Sequence, residues 1–475
     1  MNRIILLLGA LLLCCAPQLH AKITLPSLLG DNMVLQQQAN VKFWGKAAAN
    51  KKITLTPSWN GKVYKAKSDA DGKWSLFVET PAAGGPYTIA LSDGESLVLN
   101  NVLIGEVWLC SGQSNMEMPV KGFTGQPIDN SQATIVSANS SSNIRMFTVK
   151  RDHCLIPKDE LSGGSWELNT PASVANFSAA AYFFGRQLQQ TLNVPIGLVA
   201  SSWSASKIEA WMDRKTLERF PEVDLSILDK KSANENFNVT PTLLYNAMIH
   251  PLKSYIFKGI IWYQGESNSL SPDLYSQLFA QWAELWRSTF SNSTLPIYYV
   301  QLAPYSSSMG KNELNLPIFR DRQFQSMREI PNVGMAFTSD IGNEFCIHPP
   351  QKQKVGERLA YWAFAKTYGI NGITYTGPTY SKHKLDKGVV EVEFDGANDG
   401  LQPQNAEIIG FELVGANGIA IPAKAEVVPS TRRVKVWNDS ISNPIEVRYC
   451  YRNYTEGNLS NTSSLPAAPF RVILK

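Results

Sequence analysis

Short stretches of alternating apolar and polar side chains dominate residues 22 to about 100. Val41-Lys42-Phe43-Trp44, Ile53-Thr54-Leu55-Thr56, Trp74-Ser75-Leu76-Phe77-Val78 and Tyr87-Thr88-Ile89-Ala90-Leu91 each put one face toward a core. That period of two predicts strands. Turn residues separate them, as in Trp59-Asn60-Gly61-Lys62 and Asp69-Ala70-Asp71-Gly72. Many short strands at this spacing predict a small β-sandwich over 22–100.

From residue 101 to 374 the pattern changes. Residues 196–200, 259–263, 296–301 and 333–338 are continuous apolar runs. Such runs suit parallel strands buried on both faces. Amphipathic helices lie between them. One opens at Ser271-Pro272 with the stripe Leu274, Leu278, Trp282, Leu285 and Trp286; another opens at Pro349-Pro350 with Val355, Leu359, Trp362 and Ala363. Alternating elements predict an α/β fold: a three-layer, parallel sheet with its site at the carboxyl ends of the strands. From 375 to 475 the alternation of strands returns, in 389–394, 433–437 and 445–449. The last region is expected to pack on the first or on the α/β core.

The start of the chain differs from all of this. Arg3 precedes an apolar run from Ile4 to Ala16, Pro17 breaks it, and Ala21 offers a small residue for cleavage. Charge, length and exit predict a signal peptide over 1–21. The run is short of the roughly 20 residues a membrane span requires. The expectation is therefore an exported chain, periplasmic or secreted. Lipid attachment at Cys14 or Cys15 is the lesser alternative, and no stable membrane span is expected. Four cysteines then remain, Cys110, Cys154, Cys346 and Cys450, with neither zinc spacing nor the density of a disulfide scaffold. Of 475 residues, 44% are apolar and 18% charged, which excludes a disordered chain. The net charge of +4 comes without a Lys/Arg block, so no nucleic-acid partner is expected.

Past residue 21 the only histidines are His153, His250, His348 and His383. A hydrolase without a metal usually takes its base from such a residue. Ser114 lies in Ser111-Gly112-Gln113-Ser114-Asn115-Met116, directly after an apolar run. Gly112 permits a tight turn that would hold the hydroxyl at the top of the sheet, the logic of a nucleophile elbow without its Gly-x-Ser-x-Gly sequence. Taken alone, Ser114 also reads as an ordinary turn serine. His348, in Ile347-His348-Pro349-Pro350, follows the last predicted strand and reads equally as a base or as a helix-entry residue. Gln264, in Trp262-Tyr263-Gln264-Gly265-Glu266-Ser267-Asn268, ends a buried strand and offers an amide donor, or is simply part of a polar turn.

Together these patches, with Ser201-Ser202-Trp203 and Ile208-Glu209-Ala210-Trp211-Met212, resemble the sialate O-acetylesterase family of SGNH-type carbohydrate esterases. The resemblance spans nearly the whole chain past residue 21. It implies an SGNH-hydrolase-like sheet with flanking β regions, and removal of O-acetyl groups from sialic acids without metal or organic cofactor. It implies Ser114 as nucleophile, His348 as base, and Gln264 with the Ser114 backbone N–H as oxyanion donors. Acetylxylan or another acetylated glycan would serve the same chemistry. A carbohydrate-binding protein with a decayed site is the rival from another class.

Two departures bear on the site. Where the family has Gly-Gly after Ser-Ser-Trp, this chain has Ser204-Ala205. A backbone N–H donates without glycine unless the position needs positive φ, so Ser204 remains a candidate third donor. Where the family often has Asp two residues before the histidine, this chain has Cys346. Three readings follow: Glu344 or Asp340 completes a triad, a backbone carbonyl orients the ring and leaves a Ser–His dyad, or the site is weak or inactive. Arg320 and Arg322 are the candidates for meeting a sialate carboxylate, against the plainer reading of solvated helix charge.

Overall fold

The computed structural model describes residues 22–229, 236–306 and 313–474. The expected signal peptide, with Cys14 and Cys15, lies outside the described residues. Seven strands form the N-terminal part and the first arm of the centre: β1 (Val34–Gln36), β2 (Asn40–Lys46), β3 (Lys52–Pro57), β4 (Tyr64–Lys67), β5 (Lys73–Glu79), β6 (Gly84–Ser92) and β7 (Ser96–Gly112). The strands expected from alternation fall within β2, β3, β5 and β6. In β5 every second residue is buried, as half-buried strands require.

β7 is 17 residues long and serves two structures. Its first half pairs antiparallel with β6 and parallel with β1. Its second half lies at the centre of the α/β layer. Six further strands complete that layer: β8 (Ile144–Thr148), β9 (Trp166–Leu168), β10 (Ile196–Ser202), β11 (Gly259–Tyr263), β12 (Ile297–Val300) and β13 (Val333–Ala336). Their spatial order is β13-β12-β11-β7-β10-β8-β9, and every neighbour is parallel except β9 on β8. The whole sheet, with the N-terminal strands hydrogen-bonded into it, is therefore mixed.

Alternation along the strands sends successive side chains to opposite faces. Tyr298 of β12 stacks near Trp108 of β7 and Trp362, and Trp108 meets Phe184 edge-on. This face is covered by the helices Ala179–Leu192 and Lys352–Trp362. Its neighbour Tyr299 faces the other way, toward Phe279, and Trp262 packs on Trp282 and Trp286. That face is covered by the helix Pro272–Thr289, whose proline stands in its first turn. Helices on both faces explain why the strands read as unbroken apolar runs.

The chain builds β7, β8 and β10 to one side, then crosses to β11, β12 and β13 on the other. Ligands in open α/β sheets collect at the carboxyl ends of strands where this reversal occurs. Here that point is the end of β7, between β10 and β11.

One apolar cluster gathers residues from Ile23 to Phe364 together with Ala468, and a second gathers residues from Val390 to Leu474. The second fills two four-stranded antiparallel sheets, which include Val389–Asp395, Arg433–Trp437 and Glu446–Tyr449. It packs on the α/β core: Asn453 Oδ1 accepts the Leu316 N–H, and Ser339 Oγ donates to Ala467 O. Among the described residues no helix is long and apolar enough to cross a membrane.

Candidate active site

The loop after β7 is shaped by lack of space. Gly112 has φ +144°, and a Cβ there would come within 2.1 Å of Tyr263 O on β11. Only glycine lets the two strands approach so closely and bend at once. Gln113 N–H then donates to Tyr263 O at 2.9 Å. A single helical turn, Ser114–Glu117, follows, with the Met116 and Glu117 N–H groups both bonded to Gln113 O. Ser114 thus stands first in a turn, where backbone N–H groups have no partner within the helix. It is 8% exposed.

The two loops that flank it are stitched to it by amides. Gln113 Oε1 accepts the Gly265 N–H at 3.2 Å. Gly265 itself has φ +153°, with the Phe319 ring where a Cβ would be. Asn115 Nδ2 donates to a Glu266 oxygen and, at 3.1 Å, to Ile347 O, the residue before His348. Asn115 Oδ1 accepts from Lys352 Nζ at 2.7 Å, and Lys352 also donates to Pro349 O. Lys352 is fully buried. Burial lowers its ammonium to about 7, against the pull of Glu266. Burial likewise pushes the Glu266 carboxyl up.

His348 and Pro349 each precede a proline, which keeps them out of helical conformation. The helix therefore starts at Lys352, two residues later than the proline pair suggested. His348 stays on the loop, half-buried, with Phe123 edge-on at 5.4 Å. Its Nδ1 lies 2.7 Å from Gln126 Oε1. With an amide oxygen as partner, Nδ1 carries the proton and Nε2 is left as the basic nitrogen. Burial, and then the Lys352 ammonium, hold the imidazole at about 4, so it is neutral at pH 7.

Gln126 takes the place foreseen for a carboxylate or a backbone carbonyl. Asp340 does not complete a triad, because both its oxygens are held by Arg358 and one also by Lys354. Glu344 lies on the histidine loop near Tyr454, and its carbonyl accepts the Ser306 N–H. Cys346 donates to His348 O at 3.4 Å. Cys110 and Cys346 are both free thiols, so no bridge joins the nucleophile and histidine loops.

Of the expected oxyanion donors, the Gln264 amide and the Ser204 N–H are otherwise engaged. Gln264 is fully buried, and its Nε2 donates to Ser206 O at 3.0 Å and Asn268 Oδ1 at 2.8 Å. Asn268 is held in turn by Glu209. Ser204 N–H and Oγ both donate to Glu117 Oε2. Ser204 lacks the positive φ that would demand glycine, but Ala205 sits at φ +55°. Arg320 is 1% exposed and donates to Arg452 O, which corrects its assignment to substrate. Arg322 closes a surface ion pair with Asp273.

Gln126 and Lys352 were the residues that sequence reasoning missed. Nothing local marks Gln126. Lys352 carried a signal: it lies three residues before Val355 and seven before Leu359, on the apolar stripe of its helix.

Two outcomes follow from this geometry. Ala205→Gly, by removing left-handed strain on an exposed residue, is expected to raise stability by about 1 kcal/mol in urea unfolding. Lys352→Met leaves Asn115 Oδ1 and Pro349 O without their donor, and is expected to lower stability by about 2 kcal/mol in the same assay.

Comparison with known proteins agrees with this layout. Residues 104–364 match the family model for carbohydrate esterases described as sialic acid-specific acetylesterases. The chain is 29% identical to mouse sialate O-acetylesterase, over 94% of this chain and 93% of the mouse protein. It is 30% identical to the human sialate O-acetylesterase, over 94% and 91%. Among solved structures, a carbohydrate acetylesterase from Xanthomonas citri superposes with a TM-score of 0.85 at 35% identity, covering 95% of this chain and 100% of the other. Strand order, the Ser114 turn and these matches lead to one conclusion: the chain is a carboxylic ester hydrolase of the sialate O-acetylesterase family.

Proposed function

We propose that this protein removes O-acetyl groups from acetylated sugars, sialic acids first among them, through a Ser114–His348 dyad and an acetyl-enzyme. The observation that carries the reading is the joining of the two loops by Asn115, which ties the residue after Ser114 to the residue before His348. Sialate as substrate is inferred from the mammalian relatives' names. An SGNH-type arrangement is in keeping with a serine at the end of the central strand.

In this mechanism His348 Nε2 takes the Ser114 hydroxyl proton as the oxygen attacks the acetyl carbonyl. The tetrahedral oxyanion lies against the Ser114 backbone N–H. The imidazolium then protonates the departing sugar oxygen, and water attacks the acetyl-enzyme by the reverse route. Gln126 Oε1 stands where a triad carboxylate usually would. It fixes the tautomer but supplies no full negative charge, so the imidazolium gains less stabilisation than beside an aspartate. Gln264 and Ser204 join the oxyanion hole only by exchanging Asn268 and Glu117 for substrate.

The same groups define the pH dependence. The base works when neutral, so activity is lost as pH falls through the folded-state pKa. With His348 held at about 4, kcat/KM is expected to rise through about pH 4 and to be level from pH 5 to 7. In Lys352→Met the repelling ammonium is gone, and the acid limb is expected to move up, while burial, the larger cause, still holds it below the free imidazole's value. Gln126→Ala removes one hydrogen bond to the ring and is expected to lower kcat about tenfold. Gln126→Glu is expected to retain activity and also move the limb upward, because a carboxylate favours the imidazolium.

The direct test is acetate release by the purified chain from 9-O-acetyl sialic acid and from acetylated xylooligosaccharide, beside Ser114→Ala and His348→Ala. Release that both substitutions abolish is the expected result, and the relative rates rank the two sugars. No release from either ester would contradict the reading and favour a sugar-binding protein.

A further inference from the structure

We propose that a cavity beside the nucleophile turn is an anion subsite, and that it receives the carboxylate of an acidic acetylated sugar, a sialate or a uronate. The proposal rests on the esterase reading and adds the residues that would select for an acidic sugar.

The cavity has a volume of about 370 Å³, and Lys121, Lys150 and Arg151 line it. Glu117 is its single carboxylate, so the lining carries two more positive than negative charges. The chain as a whole is only +4. That concentration is local, not a property of the surface at large.

The cavity shares walls with the catalytic groups. Glu117 ends the turn that Ser114 begins. Phe123 lines the cavity and also meets the His348 ring edge-on at 5.4 Å. Ser202, another lining residue, is the register partner of Gly112. A pyranose with its acetyl group at Ser114 therefore has this cavity within the reach of one sugar ring.

Arg151 is the side chain built to read a carboxylate there. Its Nε and Nη2 face Glu117 Oε1. Its guanidinium lies over the Trp203 ring, 5.5 Å from the centroid. Glu117 is fixed in turn by the Ser204 N–H and hydroxyl. Held from one edge and one face, Arg151 keeps half of its side chain in solvent. A guanidinium has five N–H donors in a planar fork, and Glu117 uses only the inner edge. The outer edge is oriented in advance for a second carboxylate, which lowers the entropy of binding. Lys121, whose Nζ donates to Asn176, and exposed Lys150 add attraction without fixed geometry. In this arrangement the Ser204-Ala205 departure has a use: Ser204 supports Glu117, and through it Arg151.

The test compares kcat/KM for acetate release from three esters: O-acetylated sialic acid, an acetylated glucuronic-acid-bearing xylooligosaccharide, and a neutral acetylated xylooligosaccharide. The chain is assayed as wild type, Arg151→Gln, Lys121→Gln and Lys150→Gln, at low and high salt. Wild type is expected to prefer an acidic ester, and the higher of the two acidic rates identifies sialate or uronate. Arg151→Gln is expected to lower the acidic-to-neutral ratio about tenfold, mainly through KM. Lys121→Gln and Lys150→Gln change exposed side chains that do not touch Glu117. They are expected to lower the ratio two- to three-fold, as is added salt in wild type. Acetate release with no acidic preference, or with a ratio that none of the substitutions moves, overturns the subsite and leaves the esterase standing. No Ser114-dependent release from any of the three overturns both.

Discussion

The side chain of Asn115 holds this site together. One primary amide joins three loops that the sheet brings near one another but does not bond. Its nitrogen donates to Glu266 after β11 and to Ile347 before His348; its oxygen receives the buried Lys352 ammonium. Each of these bonds has a charged group or a backbone carbonyl as partner, in surroundings with little water, where such bonds are strong and costly to leave unmade. The serine follows β7, at the sheet's reversal point, and the histidine follows β13, at the far end of the strand order. Asn115 ties together the loops that carry them.

The approach of β7 to β11 makes the amide's position possible. Gly112 leaves no room for a Cβ beside Tyr263 O. A larger residue would push the turn outward and lengthen every bond that Asn115 makes. The aromatic packing on both faces, Trp108 with Tyr298 on one and Trp262 with Trp282 on the other, keeps these strands in register. Packing thus fixes the strands, the strands fix the turn, and the turn aims the amide.

Much of this was legible in the chain. The unbroken apolar runs coincide with β10, β11, β12 and β13; of the helical stripe, Leu278, Trp282 and Trp286 are buried, and Leu274 and Leu285 at its edges are half-buried. Ser114 and His348 stand out in the sequence as candidates because both follow strands and stand beside residues that restrict the backbone. What was not legible depends on contacts between distant segments. Gln126 meets His348 across 222 positions, from a loop without pattern. Asp340 looked available until Arg358, 18 residues later on a helix, turned back to bind it. Arg320 reads as surface charge on a polar helix, yet that helix turns it inward toward Arg452. Lys352 is the intermediate case: a lysine in register with an apolar stripe is a buried cation that needs partners, and the sequence shows the register without showing them.

The central claim is that Ser114 carries the acetyl group between sugar and water. It is tested most directly by mixing the protein with an O-acetylated sugar in excess, quenching with acid, and locating the modification by peptide mass spectrometry. The account predicts one added acetyl group, on the peptide bearing Ser114, that builds up and then disappears as substrate is exhausted. Acetate release with no acetyl group ever found on Ser114, or with the group on another residue, would contradict it.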